Sequence, residues 1–312
     1  MSKSKVLVVG GTGYIGKRIV KACLDQGHET YVLQRPDIGL DIDKIQMLLS
    51  FKKQGAHLVE ASFSDHQSLV DAVKLVDVVI STISGVHFRS HNILMQLKLV
   101  EAIKEAGNIK RFLPSEFGMD PARMGNALEP GRVTFDEKMT VRKAIEEAKV
   151  PFTYVCGCCF AGYFVGNLSQ LGTLVPPREK VYVYGNGNIK VVYADEDDIA
   201  TYTVKTIDDP RTLNKTVYLR PPENILTQKQ LIEKWEKLVG RELEKCSISA
   251  QDFLAPMKEL DYASQVGVGH FYHIFYEGCL TNFEAGEDGK EASELYPEVQ
   301  YTRMDSYLKI YA

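Results

Sequence analysis

Short apolar runs alternate with amphipathic stretches through the first half of the chain. Residues 6–9 are uniformly apolar, which predicts a strand buried on both faces of a parallel sheet. Between such runs, apolar side chains recur at helical spacing, most clearly over residues 92–106. This alternation predicts an α/β fold built on a Rossmann-type, doubly wound parallel sheet. The other predicted strands of this sheet are residues 29–33, 56–60, 76–80, 110–113 and 152–155.

The regular alternation weakens after the sixth predicted strand, which suggests two parts. Residues 1–155 are expected to form the Rossmann domain, and residues 190–222 are expected to return to it. Residues 156–189 and 223–312 are expected to form a smaller C-terminal α/β lobe that binds substrate.

Local patterns in the second half predict individual elements. Residues 181–193 combine two apolar runs around an Asn-Gly step, which predicts a β-hairpin. The acidic run at residues 195–198 predicts the negatively charged start of a helix. Two further helices are predicted at residues 228–239 and 250–259.

The first apolar run leads directly into a glycine-rich segment, residues 10–16, which we call the glycine loop. A helix is predicted to follow it, and strand, glycine turn and helix in that order predict a dinucleotide site rather than an ordinary turn. Gly10 permits the tight turn, Gly13 lets backbone N–H groups approach a pyrophosphate, and Gly16 lets helix and strand pack closely. The candidate contact residues are Gly10, Thr12, Gly13, Tyr14, Ile15 and Gly16.

The end of the second strand predicts which dinucleotide is bound. An acidic residue there accepts from a ribose 2′-hydroxyl and selects NAD, whereas an arginine pairs with the 2′-phosphate of NADP. Arg35 lies at this position, and the nearby carboxylate of Asp37 comes only after Pro36. The pattern therefore favours NADP(H). Lys44 is a candidate for a second phosphate contact, and the alternative is that its side chain lies on a solvated surface of the helix.

Composition excludes several classes of partner. Among 312 residues, 25% are charged and 45% belong to the hydrophobic set, and the net charge is −4 without any basic block. Nucleic acid and anionic membranes are therefore not expected partners. Neither a signal peptide nor a membrane-spanning apolar stretch is recognisable, so a cytoplasmic protein is expected. Three of the six cysteines cluster at residues 156–159 inside an apolar run, which predicts small buried thiols and no metal site.

The segments that follow the fourth and fifth strands are expected to line the nicotinamide side of the cofactor site. Strand ends in such a sheet meet at the ligand-binding edge. Ser84 follows the fourth strand, and Ser115 and Phe117 follow the fifth in a long irregular segment. His87 comes shortly after Ser84 and could act as an acid or base, although an exposed loop histidine is the favoured reading.

The start of the next predicted helix carries a modified catalytic pattern. Short-chain dehydrogenases of this architecture usually carry Tyr-x-x-x-Lys here, but this chain has Thr134 and Lys138. Without a tyrosine, no phenol can protonate an alkoxide, which disfavours simple carbonyl reduction. A lysine beside a nicotinamide and an apolar substrate can have its pKa lowered by desolvation and act as a general base. An exposed helix lysine is the alternative.

Several motifs together resemble the plant isoflavone reductase-like group of atypical short-chain dehydrogenases. This group contains pinoresinol–lariciresinol reductases, phenylcoumaran benzylic ether reductases and isoflavone reductases. The resemblance covers essentially the whole chain, and its stretches around residues 80–100 and 271–279 look most like the first of these. The departure lies at residues 156–159, where related chains often carry an Ala-Asn-Cys type run. The most specific matches are residues 10–16, 35–36, 111–121 and 136–138.

The resemblance implies an NADPH-dependent enzyme that opens the furan rings of furofuran lignans and adds hydride at the benzylic carbon. Lys138 would take the proton of the para phenol, and the phenoxide would expel the benzylic ether to give a quinone methide. A homodimer is also implied. The residues do not distinguish reduction of one furan ring from reduction of both, or one substrate enantiomer from the other.

Candidate substrate contacts come from three apolar stretches of the chain. Met119 lies in the irregular segment after the fifth strand, and Phe164 belongs to an aromatic stripe that could equally be core. Residues 266–273 combine glycine flexibility, apolar surface and two imidazoles, although His273 has a structural role as its equal alternative. The candidates in this last stretch are Gly267, Val268, Phe271 and His273.

The sequence allows two alternative functions besides lignan reduction. The first is another reaction of the same group, either phenylcoumaran ether cleavage or isoflavone reduction. The second is a non-catalytic sensor that binds NADP(H) on this fold. Lys138 argues against a sensor, because a protein that only binds the cofactor needs no general base.

Overall fold

The computed structural model describes residues 3–85 and 91–312. The chain divides into two compact units, each built from several segments. Unit 1 consists of Met1–Glu116, Asp136–Val155 and Ala200–Val217. Unit 2 consists of Phe117–Phe135, Cys156–Ile199 and Tyr218–Ala312. The assignment of cofactor binding to one part and substrate binding to the other stays a prediction.

Helices and strands alternate along the chain. The strands are β1 (Lys5–Val9), β2 (Glu29–Gln34), β3 (His57–Glu60), β4 (Val78–Ser81), β5 (Arg111–Leu113), β6 (Thr153–Cys156), β7 (Cys159–Phe160), β8 (Lys180–Tyr184), β9 (Lys190–Ala194), β10 (Lys215–Tyr218), β11 (Ile225–Thr227), β12 (Glu244–Ile248) and β13 (Gly289–Glu291). The helices are α1 (Gly16–Asp25), α2 (Ile42–Lys53), α3 (His66–Lys74), α4 (Gln96–Ala106), α5 (Val133–Glu147), α6 (Ala161–Phe164), α7 (Glu196–Lys205), α8 (Gln228–Val239), α9 (Ala250–Leu254), α10 (Tyr262–Phe275), α11 (Ala292–Leu295) and α12 (Met304–Leu308). None of the helices among the described residues is long and apolar enough to cross a membrane.

The main sheet of unit 1 has the strand order β3-β2-β1-β4-β5, and every pair within it is parallel. Val8 lies opposite Val32 on one side and Ile80 on the other, and all three side chains are fully buried. A parallel bridge from Phe112 to Phe152 continues the sheet toward β6. The predicted doubly wound Rossmann-type sheet is therefore confirmed, because strands with apolar side chains on both faces need helical cover on both sides.

The reversal of strand order at β1 and β4 locates the ligand-binding edge of this sheet. The chain runs from β1 to β2 in one direction and reaches β4 on the opposite side of β1. Loops that leave β1 and β4 at their carboxyl ends therefore separate and leave a crevice between them. The glycine loop and the segment that begins at Thr82 border this crevice.

The predicted hairpin over residues 181–193 is wrong. Both strands exist, but among the described strands β8 pairs in parallel with β12, whereas β9 pairs with β11 and β7. The Gly185 N–H donates to the Ile248 carbonyl at 2.8 Å, which extends the β8–β12 ladder into the turn. Gly185 and Gly187 both have positive φ, and the turn they form leads the chain into a different sheet.

The glycine-containing stretch at residues 266–273 is part of a helix rather than a flexible segment. It lies within α10, which begins after Asp261, whose carboxylate accepts from the Ser264 N–H at 3.1 Å. Val266, Val268 and Phe271 of this helix are all buried. Burial of that apolar surface outweighs the helix-weakening effect of the glycines, which is about 1 kcal/mol each.

The acidic run does begin a helix, as predicted. Asp195 accepts a hydrogen bond from the Asp197 N–H at 2.8 Å, and α7 follows with acidic side chains in its first turn. Asp198 accepts from the Thr302 N–H at 2.7 Å. The carboxylates therefore cap and orient a helix, and acid/base chemistry is not needed to explain them.

Asp198→Asn should raise stability at neutral pH. Burial, with Asp195 and Asp197 adding to it, raises the pKa of the Asp198 carboxyl to about 6, whereas an unfolded aspartate titrates near 3.9. The folded state then binds this proton more tightly, so the contribution of Asp198 to the free energy of unfolding is highest below pH 4 and falls as the pH rises through 6. We compare the free energies of unfolding of variant and wild type by urea unfolding at two pH values. The difference in favour of the variant should be larger at pH 8 than at pH 4.5 by roughly 1–2 kcal/mol. An equal difference at both pH values would contradict this account.

Candidate active site

The glycine loop is shaped by close backbone contacts that exclude side chains. Gly10 has φ +82°, and its carbonyl accepts from the Gly13 N–H at 2.9 Å. A Cβ atom on Gly16 would lie 2.1 Å from the Gly10 carbonyl oxygen and 2.7 Å from Thr82 Oγ1. Because real Cβ atoms do not approach other atoms so closely, Gly16 is needed to bring the start of α1 against the loop.

The outer part of the glycine loop is open to solvent. Gly13 and Tyr14 are exposed, whereas Ile15 is buried and anchors the loop to the core. The Arg18 guanidinium lies 4.7 Å from the centroid of the Tyr14 ring and donates to the Tyr14 carbonyl at 2.8 Å. An exposed glycine backbone at a helix N-terminus is the arrangement that binds phosphate groups, so the residues present fit a dinucleotide.

Thr82 connects the two strands that border the crevice. Its hydroxyl and its N–H both donate to the Val9 carbonyl at 2.8 Å, which joins the carboxyl ends of β1 and β4. The same side chain lies beside Gly10 and Gly16. Sequence reasoning did not single out Thr82, because this contact depends on how the two strand ends pack.

Arg35 and Lys44 lie beyond β2, where the sequence predicts selection between the two nicotinamide dinucleotides. Arg35 is exposed at the carboxyl end of β2. Lys44 Nζ is 2.9 Å from an Asp41 carboxylate oxygen, and Asp41 also accepts from the Lys44 N–H at the start of α2. These hydrogen bonds hold the pKa of Asp41 below its usual range. A phosphate contact by Lys44 stays a prediction.

Arg35→Ala should weaken NADPH binding and leave NADH binding unchanged. A guanidinium that pairs with the 2′-phosphate contributes a charge-assisted interaction that NADH lacks. Loss of this contact should raise the Kd for NADPH by about 10- to 100-fold. Fluorescence titration of wild type and variant with both cofactors measures the effect. Equal weakening toward NADPH and NADH would show that Arg35 does not read the phosphate.

Ser84 and Ser115 lie on segments that the structure brings together. The Ser115 hydroxyl donates to the Ile83 carbonyl at 2.7 Å, and the Ser115 N–H donates to Gln96 Oε1 at 2.8 Å. The Ser84 carbonyl accepts from the Asn92 N–H at 3.0 Å. Cofactor contact by these residues stays a prediction. His87 lies outside the described residues.

Lys138 is buried on α5 and its side-chain nitrogen is held by a backbone oxygen. Nζ donates to the Glu116 carbonyl at 2.6 Å, and the residue is only 9% exposed. The Glu116 carboxylate accepts two hydrogen bonds from Arg142, at 2.9 and 3.1 Å. Thr134 is also buried, one helical turn before Lys138 on α5. The reading of Lys138 as an exposed helix lysine is therefore wrong, whereas its catalytic role stays a prediction.

Sequence reasoning missed the contribution of Glu116 and Arg142. Arg142 follows Lys138 by four residues and therefore lies on the same side of α5, which was a usable signal. Glu116 belongs to the segment after β5, and its pairing with α5 depends on the fold. The two residues form a buried ion pair, and the backbone carbonyl of the same Glu116 holds Lys138 Nζ.

The aromatic candidates for substrate contact are grouped within unit 2. The Phe164 ring stacks on Phe271 with ring centroids 5.1 Å apart and lies 6.3 Å from Phe275. Val268 is buried and Gly267 is half-buried on the same helix as Phe271. Met119 packs against a buried cluster formed by Met124, Ala127 and Phe135. The predicted roles of these residues stay predictions.

His273 already uses both ring nitrogens within the protein. Nε2 accepts from the Leu128 N–H at 2.9 Å, and Nδ1 donates to a Glu277 carboxylate oxygen at 2.6 Å. These partners assign the neutral tautomer that carries its proton on Nδ1. The ring is buried and joins α10 to residue 128, so a contact with substrate would have to replace one of these bonds.

The clustered cysteines are buried thiols in this structure. Cys156, Cys158 and Cys159 are all buried, and burial raises the pKa of Cys158 and Cys159 well above the usual thiol range. A thiol that stays protonated is neither a nucleophile nor a metal ligand. Across residues 3–85 and 91–312, no cluster of His, Cys, Asp and Glu side chains could hold a metal ion.

Comparison with known proteins identifies similar chains of full length. Residues 2–308 match the model of the NmrA-like family. A Lupinus albus protein named isoflavone reductase homolog is 81% identical over 311 residues and both chains are fully covered. A Linum perenne protein named bifunctional pinoresinol-lariciresinol reductase is 72% identical over 313 residues, again with full coverage of both.

A solved structure is similar over the whole chain. AtPrR2 with NADP+ and (+)-pinoresinol is 66% identical and superposes with a TM-score of 0.98, with full coverage of both chains. The predicted resemblance to the isoflavone reductase-like group is thereby confirmed.

Proposed function

We propose that this chain, which belongs to the NmrA-like family, is an NADPH-dependent oxidoreductase that opens the furan rings of furofuran lignans. The observation that carries the proposal is the full-length similarity to a protein solved with NADP+ and (+)-pinoresinol. The reaction converts pinoresinol to lariciresinol. The bifunctional relative supports a second step that opens the remaining ring of lariciresinol to give secoisolariciresinol.

The cofactor would be held mainly by the glycine loop and the segments around it. The close approach of Gly16 to Gly10 leaves exposed backbone for the pyrophosphate, and Arg35 would pair with the 2′-phosphate. Bound NADPH supplies the hydride that the reaction requires. The proposed contact residues are Gly10, Thr12, Gly13, Tyr14, Ile15, Gly16, Arg35, Lys44, Ser84, Ser115, Phe117 and Lys138.

Lys138 would act as the general base. In its neutral form the amine takes the proton of the para phenol while the Glu116 carbonyl holds the nitrogen in place. The phenoxide then donates electron density through its aromatic ring, and the bond between the benzylic carbon and the furan-ring oxygen breaks. The product of this step is a quinone methide. Once the benzylic carbon is reduced, the Lys138 ammonium can return its proton to the restored phenoxide. Solvent protonates the oxygen that left.

Thr134 is consistent with this chemistry. A carbonyl reductase needs an acid beside the carbon that accepts hydride, because an alkoxide forms there. In benzylic ether reduction the accepting carbon carries no oxygen after the ring has opened. The absence of a tyrosine at this position therefore does not prevent the reaction.

Other reactions of the same group are the alternative. The name of the lupin relative favours isoflavone reduction, and phenylcoumaran ether cleavage uses a similar benzylic centre. Incubation with NADPH and one substrate of each class, followed by chromatography, separates these possibilities. We expect turnover of the furofuran lignan to be fastest by at least about tenfold. Turnover of only the isoflavone or the phenylcoumaran would overturn the proposal.

A non-catalytic sensor is the alternative from another class. A sensor would bind NADPH without consuming it in the presence of any of the three substrates. The buried position of Lys138 favours a catalyst, because placing a lysine there costs stability that cofactor binding alone does not require. The proposal also includes a cytoplasmic location and a homodimeric assembly. The proposed substrate contacts are Met119, Phe164, Gly267, Val268, Phe271 and His273.

A further inference from the structure

We propose that the ion pair between Glu116 and Arg142 sets the protonation and orientation of Lys138, so that both are positioning residues of the reaction. The inference rests on the proposed role of Lys138 as a general base. It adds two residues that act through Lys138 and need not touch substrate or cofactor.

Glu116 connects Lys138 to Arg142 through two different groups of one residue. Its backbone carbonyl accepts from Lys138 Nζ at 2.6 Å, and its carboxylate accepts from Arg142 Nε and Nη2 at 2.9 and 3.1 Å. Glu116 and Arg142 are 4% and 5% exposed. A carbonyl can accept from either an ammonium or a neutral amine, so the nitrogen stays in place when it gains or loses its proton.

The peptide that holds Lys138 is itself fixed on both sides. Ser115 precedes it and is anchored by its N–H to Gln96 and by its hydroxyl to the Ile83 carbonyl. Phe117 follows it with φ +36°, a left-handed conformation that costs a non-glycine residue energy. A backbone held in such a conformation beside a proposed catalytic group is typical of a site in which one orientation matters.

Arg142 is held against an aromatic ring as well as against Glu116. Its guanidinium lies 4.2 Å from the centroid of the Tyr154 ring. Burial raises the pKa of the Tyr154 phenol, so the ring stays neutral, and its hydroxyl donates to Glu146 at 3.4 Å. Arg142 is therefore fixed from two sides, by the Glu116 carboxylate and by the Tyr154 ring.

Other charged and titratable groups lie near Lys138 along α5. His91 hydrogen-bonds to Glu137, the residue before Lys138, and its other ring nitrogen contacts the Gly85 carbonyl. Asp136 lies earlier in the same helical turn, and Lys143 pairs with Glu147 on the exposed face. None of these residues is changed in the variants below, apart from Lys143 in the control.

Neutralising either member of the pair should change the pKa of Lys138, and the two changes should have opposite signs. Glu116→Gln leaves the Arg142 charge without its carboxylate, and a nearby positive charge disfavours the Lys138 ammonium. Arg142→Met leaves the Glu116 carboxylate without its guanidinium, which favours the ammonium. The double variant removes both charges and should restore the balance. A purely structural pair would alter stability without moving the Lys138 pKa in opposite directions.

The test measures the Lys138 pKa directly by NMR. Protein labelled with 13C-lysine is titrated without substrate, and the Lys138→Met spectrum assigns the Lys138 signal by its absence. We expect the pKa to fall by about one unit in Glu116→Gln, to rise by about one unit in Arg142→Met, and to return to within about 0.3 units of wild type in the double variant. Lys143→Met is the control, because it removes an exposed charge at the position after Arg142. It should shift the pKa of Lys138 by less than about 0.2 units.

A second readout uses the pH dependence of kcat with (+)-pinoresinol. A general base is active when neutral, so the acid limb of the profile should move to lower pH in Glu116→Gln and to higher pH in Arg142→Met. Shifts of the same sign, or none, in folded single variants would overturn the inference. If the single variants do not fold, a double variant that folds and keeps the wild-type pKa supports it, and one with a displaced pKa contradicts it. Failure of wild type to reduce any lignan would instead overturn the proposed function and leave the NMR result standing.

Discussion

Lys138→Ala should abolish lignan reduction and preserve cofactor binding. Removal of a positioned general base lowers a rate by roughly 10²- to 10⁴-fold, and Lys138 Nζ is positioned by its hydrogen bond to the Glu116 carbonyl. We therefore expect kcat for (+)-pinoresinol to fall by at least about 10²-fold. The Kd for NADPH should change by less than about threefold, because Lys138 is only one of the proposed cofactor contacts and the phosphate contacts stay in place. Steady-state kinetics and fluorescence titration measure the two quantities.

Lys143→Ala is the matched control for this variant. Lys143 lies on the same helix, but its side chain is 76% exposed and pairs only across the surface with Glu147. It should retain wild-type kcat. Retention of more than about a tenth of wild-type kcat in Lys138→Ala would show that Lys138 is not the general base, because loss of a general base lowers the rate by more than about tenfold. Loss of NADPH binding together with kcat would assign Lys138 to cofactor binding alone.

Gly16→Ala should cause a large loss of NADPH affinity. The added Cβ would meet the Gly10 carbonyl oxygen at 2.1 Å, and backbone cannot move aside as a flexible side chain can. The loop and the start of α1 must then separate, which displaces the N–H groups that would bind the pyrophosphate. We expect the Kd for NADPH to rise by about 10²-fold or more, equivalent to roughly 3 kcal/mol. Isothermal calorimetry measures it.

Gly125→Ala provides the control for the general cost of replacing glycine. No heavy atom lies within 4 Å of a Cβ built on Gly125, and the residue does not need positive φ. Its NADPH affinity and melting temperature should stay close to wild type. If Gly16→Ala also keeps wild-type affinity, the glycine loop does not form the phosphate site that we describe.

The sheet of unit 1 could be predicted because its signals are local. The apolar run at residues 6–9, the glycines that follow and the helix after them lie next to one another in the sequence, and each indicates the same unit. Burial of Val6 and Val8 then follows from the position of β1 at the centre of the sheet. The resemblance to a known group extended the prediction from the cofactor to the substrate class.

The features that could not be predicted depend on contacts between distant segments. The Asn-Gly step at residue 186 favoured a hairpin, but β8 found its partner in β12, far along the chain. The glycines of α10 suggested flexibility, whereas burial of Val268 and Phe271 keeps the segment helical. Glu116 and Arg142 are ordinary charged residues in the sequence, and only the fold brings them together beside Lys138.

The central claim is that hydride from NADPH reaches the benzylic carbon of a furofuran lignan. Incubation of the protein with (+)-pinoresinol and NADPH that carries deuterium at the transferred position tests it directly. We predict lariciresinol that contains one deuterium, placed by NMR at the benzylic carbon of the opened ring. Deuterium at another carbon, or no conversion of pinoresinol while an isoflavone or a phenylcoumaran is reduced, would contradict the account.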